Sequence, residues 1–260
     1  MPLVDFAQFV DELATVSGQA ILPFFRSSLT PEDKARGGAF DPVTEADRAG
    51  EAAMRHLIRR TFPTHGILGE EFGSERAEAE HVWVLDPIDG TRAFIAGLPT
   101  WGTLIGLTRH GAPAYGLMHQ PFTAERFFGD GGSAGYRGRG TERRLRARRC
   151  AALKDATVMT TSPRLFDGAS LAAYDRIERE ARLARYGCDC YAYCMVAAGH
   201  VDLVIEAGLK PYDIVALIPI VEGAGGIVTD WEGGPAAGGG SVVAAGDRRV
   251  HDAALRLLSA

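Results

Sequence analysis

Residues 82–91 read Val82-Trp83-Val84-Leu85-Asp86-Pro87-Ile88-Asp89-Gly90-Thr91, an apolar run that delivers two carboxylates and a glycine turn to one place. The apolar residues suit a buried strand, and Pro87 and Gly90 are expected to end it, so Asp86 and Asp89 project from its carboxyl end. Ligand sites of α/β sheets lie at such ends. Carboxylate oxygens are hard donors that favour Mg²⁺, with Mn²⁺ as the alternative, and either cation can neutralise phosphate charge and activate water. If a helical turn starts after Asp89, the free amides of Gly90 and Thr91 can hold a phosphate oxygen. The competing reading is an Asx-Pro turn with solvated carboxylates.

Working outward, Gly69-Glu70-Glu71 ends the apolar Ile67-Leu68 run, and Tyr212-Asp213 precedes Ile214-Val215-Ala216-Leu217. Upstream, Val43-Thr44-Glu45-Ala46-Asp47 opens a helical pattern in which Asp47 either caps the helix or orients a water. These elements can converge on Asp86 and Asp89. A phosphatase of the haloacid-dehalogenase type also ends a strand in acids before Gly-Thr. Its covalent chemistry needs one residue between the two acids, whereas two separate Asp86 from Asp89, so direct attack by water is expected instead of a phospho-enzyme.

In order and spacing, Asp47, Gly69-Glu70-Glu71, Asp86-Pro87-Ile88-Asp89-Gly90-Thr91 and Tyr212-Asp213 resemble the inositol monophosphatase superfamily over nearly the whole chain. The resemblance implies a layered αβαβα sandwich, α+β to α/β in class, and Mg²⁺-dependent hydrolysis of phosphate monoesters with two or three ions. It implies Glu70, Asp86, the Ile88 carbonyl, Asp89 and Asp213 as metal ligands, with Glu70, Asp47 and Thr91 as catalytic residues, the last two activating water. Gly90 and Thr91 then hold phosphate. Tyr212 stands where that family usually has Trp. A homodimer is also implied.

Composition sets the frame. With 260 residues and 46% hydrophobic content the chain can bury a large core, as one large or two modest domains. The net charge of -5 gives no general attraction to nucleic acid, and an acidic pocket repels phosphate until cations fill it. No nucleic-acid partner is expected, despite an arginine-rich stretch over 137–149, which is read as a solvated strand or loop between halves. No apolar run reaches membrane-spanning length, and the early acids Asp5, Asp11 and Glu12 speak against a leader peptide, so the setting expected is cytoplasmic. Cys150, Cys188, Cys190 and Cys194 lack paired zinc spacing and are read as small, mostly buried thiols.

Apolar positions from Phe6 to Phe24 predict a long amphipathic helix, followed over 27–42 by a mobile loop in which the resemblance makes Lys34 and Asp41 possible participants. Further helices are expected over about 47–60, 168–183 and 189–199. Strands are expected over 103–128, 156–161 and 201–206, and a flexible surface loop over 233–240. The division expected is 1–145, an α+β half carrying most ligands, and 146–260, an α/β half carrying Asp213, with the site in the cleft between them.

The ester must be chosen by the rest of the cleft. Glu206 lies seven residues before Asp213, where inositol monophosphatases place a substrate-facing Glu, and Asp189 falls where they usually have a small residue. An added carboxylate beside an ammonium or imidazolium group forms a charge-assisted hydrogen bond, so a cationic ester is favoured. Asp86 through Ile95, Gly97-Leu98-Pro99-Thr100-Trp101-Gly102 and Gly187 through Tyr193 resemble histidinol-phosphate phosphatases within that superfamily, with Arg92, Asp189 and Glu206 as substrate-binding candidates. The alternatives are an inositol-phosphate or broad sugar-phosphate monoesterase and a non-catalytic metal- or phosphate-binding protein. Taken singly, Asp189 also reads as a helix cap, Glu206 as a solvated strand end and Arg92 as a surface ion-pair partner.

Overall fold

The computed structural model describes residues 6–27, 32–33, 42–43 and 45–259. Lys34 and Asp41 lie outside them. The chain opens with α1 (Phe6–Ile21), then a short antiparallel pair, β1 (Glu32–Asp33) and β2 (Pro42–Val43), and then α2 (Glu45–Thr61). Next come β3 (Gly66–Gly69), β4 (Gly73–Glu75), β5 (His81–Asp89) and the short α3 (Thr91–Ile95). An antiparallel meander follows: β6 (Gly102–Arg109), β7 (Ala112–Gln120), β8 (Glu125–Gly129), β9 (Ala134–Gly138) and β10 (Thr141–Arg144). Together β3 to β10 form an eight-stranded sheet in the order 10-9-8-7-6-5-3-4, parallel only between β3 and β5.

The remaining elements are β11 (Thr157–Thr160), α4 (Gly168–Glu180), β12 (Leu183–Tyr186), α5 (Asp189–Ala197), β13 (Leu203–Leu209), α6 (Pro211–Ile214), α7 (Leu217–Gly223), β14 (Ile227–Asp230), β15 (Gly240–Ala245) and α8 (Arg248–Leu258). Their strands make a five-stranded sheet in the order 12-11-13-15-14.

Three apolar clusters show how the layers stack. Phe9, Val10 and Leu13 of α1 and Met54, Leu57 and Ile58 of α2 pack on Trp83, Leu85, Ile105 and Leu117 of the large sheet. Leu104, Met118 and Phe127 on that sheet's other side meet Tyr193 and Cys194 of α5, Leu217 and Ile220 of α7, and Val204 and Val242 of the small sheet. Tyr174 and Ile177 of α4 and Val250 and Ala254 of α8 cover the far side through Leu203, Ile205 and Val243. The order is αβαβα. β5 is covered on both faces, which is why it reads as an unbroken apolar run.

Pro87 does not end β5. The ladder with β6 runs to Asp86↔Leu104, skips, and resumes at Asp89↔Gly102, so the proline, which has no N–H to donate, is absorbed in a bulge. Helix α7 reaches the large sheet over a band of glycines. Gly106, Gly116 and Gly129 are register partners on β6, β7 and β8, and a Cβ on Gly116 or Gly129 would come within 1.8 Å of the Ala216 carbonyl or 2.4 Å of that of Pro219. Bare backbone lets the 215–220 segment lie directly on the strands.

The 233–240 loop is tied down more than its composition suggested: Ala236 is buried, Asp230 accepts from the Gly234 amide, and Gly239 presses against the Leu209 carbonyl. In the arginine-rich stretch, Arg137 pairs with Asp11 and Glu142, and Arg148 binds Asp202 through two nitrogens, tying the connection to the small sheet. All four cysteines are free thiols, Cys188 half-buried and the others buried.

Candidate active site

The end of β5 supplies the first acids. In the bulge, the Asp86 carboxylate accepts the Ile88 amide at 3.0 Å, and the Thr91 hydroxyl donates to the Ile88 carbonyl at 3.0 Å, fixing the Asp-Pro-Ile-Asp-Gly-Thr turn from within. A helical turn does begin at Thr91, with Gly90 at φ 85 as its left-handed N-cap, a conformation glycine adopts without strain. A Cβ there would press on Asp189 at 3.2–3.3 Å.

Asp213 enters from the other half. It sits in α6, which packs against β5, and its carboxylate accepts the Lys210 amide at 2.6 Å. Oxygens of Asp86, Asp89 and Asp213 lie within 4.8 Å of one another, and a second group of the same span joins Asp47, Glu70 and Glu71. Burial pushes the Asp86 carboxyl well above the usual range, and the charges of Glu70, Asp89, Asp213 and Asp47 push it further. Asp89 is raised by burial, Asp189 and Asp213, against which the Cys190 amide donates to it at 2.6 Å. Crowded carboxylates of this kind fit hard divalent cations, whose charge removes the repulsion that raises the acids.

Asp47 is in the first turn of α2 and 2% exposed; it faces Glu70 and Glu71 rather than standing before the helix as a cap. It does not line the open cavity, which is about 310 Å³ and is bounded on the metal-type side by Glu70, Asp86, Ile88, Asp89, Gly90, Thr91 and Asp213. The same cavity is also lined by Arg92, Thr161, Leu165, Asp189, Tyr193 and Glu206.

Of the competing readings, the solvated strand end fails for Glu206, which is buried within β13. Asp189 is the first residue of α5, at φ 42, while Cys188 before it makes no capping bond; burial pushes the Asp189 carboxyl up to about 6, with the Thr161 hydroxyl and Arg92 pulling down. Glu206 is 2% exposed and accepts the Thr161 amide at 2.6 Å and the Thr160 hydroxyl at 3.3 Å. Burial pushes it up to about 7, against the Thr161 bonds and with a further rise from Asp189.

Sequence reasoning missed Thr161, which lies at the carboxyl end of β11, and gave Glu71 no role. It also missed Glu51. That residue is fully buried on α2, where an acid within a helix reads as solvent-facing, and its only signal is the i+4 spacing from Asp47.

The chain was compared with known proteins. Residues 3–260 match the inositol monophosphatase family. The chain is 44% identical over 264 residues to a protein of Arabidopsis thaliana named "Bifunctional phosphatase IMPL2, chloroplastic", covering 97% of this chain and 75% of the relative. It is 36% identical to a histidinol-phosphatase of Chlorobaculum parvum, covering 87% and 86%. An inositol monophosphatase structure from Zymomonas mobilis superposes with a TM-score of 0.87 at 42% identity, over 97% of both chains. With a match that spans nearly every residue, relatives of this closeness and the same sandwich, the chain belongs to the inositol monophosphatase family.

Proposed function

We propose that this phosphatase hydrolyses histidinol phosphate to histidinol and phosphate, as a step in histidine biosynthesis. The observation that carries the reading is the pair Asp189 and Glu206, two further carboxyl groups that line the same cavity as the acidic clusters, with Asp189 beside Asp89 and Gly90. A neutral polyol offers such a pair little, while an ammonium or imidazolium group there lowers both carboxyls and forms charge-assisted hydrogen bonds. Two relatives support the choice, since proteins of Chlorobaculum parvum and Mycobacterium tuberculosis, 36% and 34% identical, are named histidinol-phosphatases.

In this reading Glu70, Asp86, the Ile88 carbonyl, Asp89 and Asp213 hold Mg²⁺ or Mn²⁺. Bound there, the cation supplies Lewis-acid charge to the phosphoryl group and makes water more acidic. Gly90 and Thr91 border the phosphate end. The Thr91 hydroxyl donates to the Ile88 carbonyl, so its lone pairs are left to accept from the attacking water, and Asp47, set behind the cavity beside Glu70 and Glu71, helps to orient that water through them. Arg92 is the third substrate-binding residue of this reading, and its charge pulls the Asp189 carboxyl down against burial. A homodimer, taken from the resemblance, and a cytoplasmic setting complete the proposal.

Asp189→Asn tests it. The expected result is a fall in kcat/KM for histidinol phosphate of about tenfold or more, the scale of a lost charged hydrogen bond, with much less change for a neutral ester. An equal loss on both esters would assign Asp189 to scaffolding and favour an inositol-phosphate or broad sugar-phosphate monoesterase.

A further inference from the structure

One face of α2 carries Asp47, Glu51 and Arg55 at successive four-residue steps, and all three are buried, at 2%, 0% and 3% exposed. Charges so far from water are costly unless paired and hydrogen-bonded. Glu51 is both. Its Oε1 accepts from Arg55 Nε at 2.6 Å and from the Phe72 amide at 3.2 Å, and its Oε2 accepts from the Glu71 amide at 2.7 Å. Arg55 in turn donates to the Gly73 carbonyl. On the other side of the turn, a Cβ on Gly69 would fall 1.9 Å from Glu51 Oε1, so only glycine admits the carboxylate.

One ion pair therefore grips the 69–73 turn at its start, middle and end. That turn joins β3 to β4, the edge strand of the large sheet, and bears Glu70 and Glu71, whose carboxylates crowd against Asp47. Like charges at that separation push an edge turn outward, and the amide bonds to Glu51 oppose it.

We infer that Glu51, compensated by Arg55, is a positioning residue that holds Glu70 and Glu71 in place to receive a divalent cation. This rests on the reading of the acidic clusters as the cation site. Groups that orient metal-binding side chains carry tenfold to hundredfold effects on metal affinity.

The experiment titrates the metal-free protein with Mn²⁺ alone, by calorimetry, alongside Glu51→Asp, Glu51→Gln and Glu70→Gln. Glu51→Asp keeps the charge against Arg55 but withdraws the carboxylate from the two amides, so it should still fold, at a lowered melting temperature, and bind Mn²⁺ about tenfold or more weakly. Its Glu71 and Phe72 amides should exchange faster with solvent. Glu51→Gln should weaken Mn²⁺ as well, and if it fails to fold, Glu51→Asp carries the same expectation. Wild-type Mn²⁺ affinity in Glu51→Asp with a weakened Glu70→Gln overturns the positioning role alone. Wild-type affinity in Glu70→Gln overturns the reading of the cation site.

Discussion

A single carboxyl group, Glu206, shows how the cleft trades stability for function. Burial raises it to about 7 from an ordinary value of 4.5. The folded chain thus keeps its proton up to about pH 7, whereas the unfolded chain releases it near pH 4.5. The group's full contribution to stability is present below pH 4.5 and is lost as pH rises to about 7, on the order of 3 kcal/mol at about 1.4 kcal/mol per unit. The melting temperature of the metal-free protein should therefore fall relative to Glu206→Gln between pH 5 and 7. Parallel curves for the two proteins would contradict this. Residues at this scale were legible unevenly. Asp86, Asp89, Gly90 and Thr91 stand within six positions, so local spacing sufficed to find them. Glu51 and Thr161 owe their place to tertiary contacts with residues 20 and 45 positions away, which leave no local pattern.

Among the elements, the seat of α7 decides whether Asp213 reaches its partners. The strands and helices themselves followed from periodicity, as in α2 and the β6–β8 meander. The glycine band did not, because Gly106, Gly116 and Gly129 become neighbours only once the strand register is known. The bulge at Pro87 was hidden for the same reason: a proline ends a strand unless the partner strand absorbs the skipped residue. Gly116→Ala places a Cβ 1.8 Å from the Ala216 carbonyl, so the chain must lift away. A loss of about 1–3 kcal/mol in stability is expected, as for an overpacked core, with a fall in kcat from displacement of Asp213. Unchanged unfolding and turnover would show that α7 is not seated by the glycines.

For the molecule as a whole, we place the division between halves at 145/146, yet the central apolar cluster belongs to both. Leu104, Met118 and Phe127 pack with residues from 190 to 244, so neither sheet has a complete core without the other. Removing Leu217, which is fully buried there, should cost about 2–5 kcal/mol in Leu217→Ala. Denaturant unfolding should remain a single transition at a lower midpoint, because both halves lose the same support. Separate transitions, with only one displaced, would mean that the halves fold independently. The same joint places the cavity, since Glu70, Asp86 and Asp89 come from one sheet's side and Asp189, Glu206 and Asp213 from the other.

Phosphate release from histidinol phosphate, inositol 1-phosphate and a nucleotide 3′-phosphate, at equal concentration and with and without Mg²⁺, probes the combined claim about cation and ester. Turnover that requires Mg²⁺ and is fastest on histidinol phosphate is the expected result. Faster release from inositol 1-phosphate would contradict the choice of a cationic ester, and release that is unaffected by removing Mg²⁺ would contradict the role given to the acidic clusters.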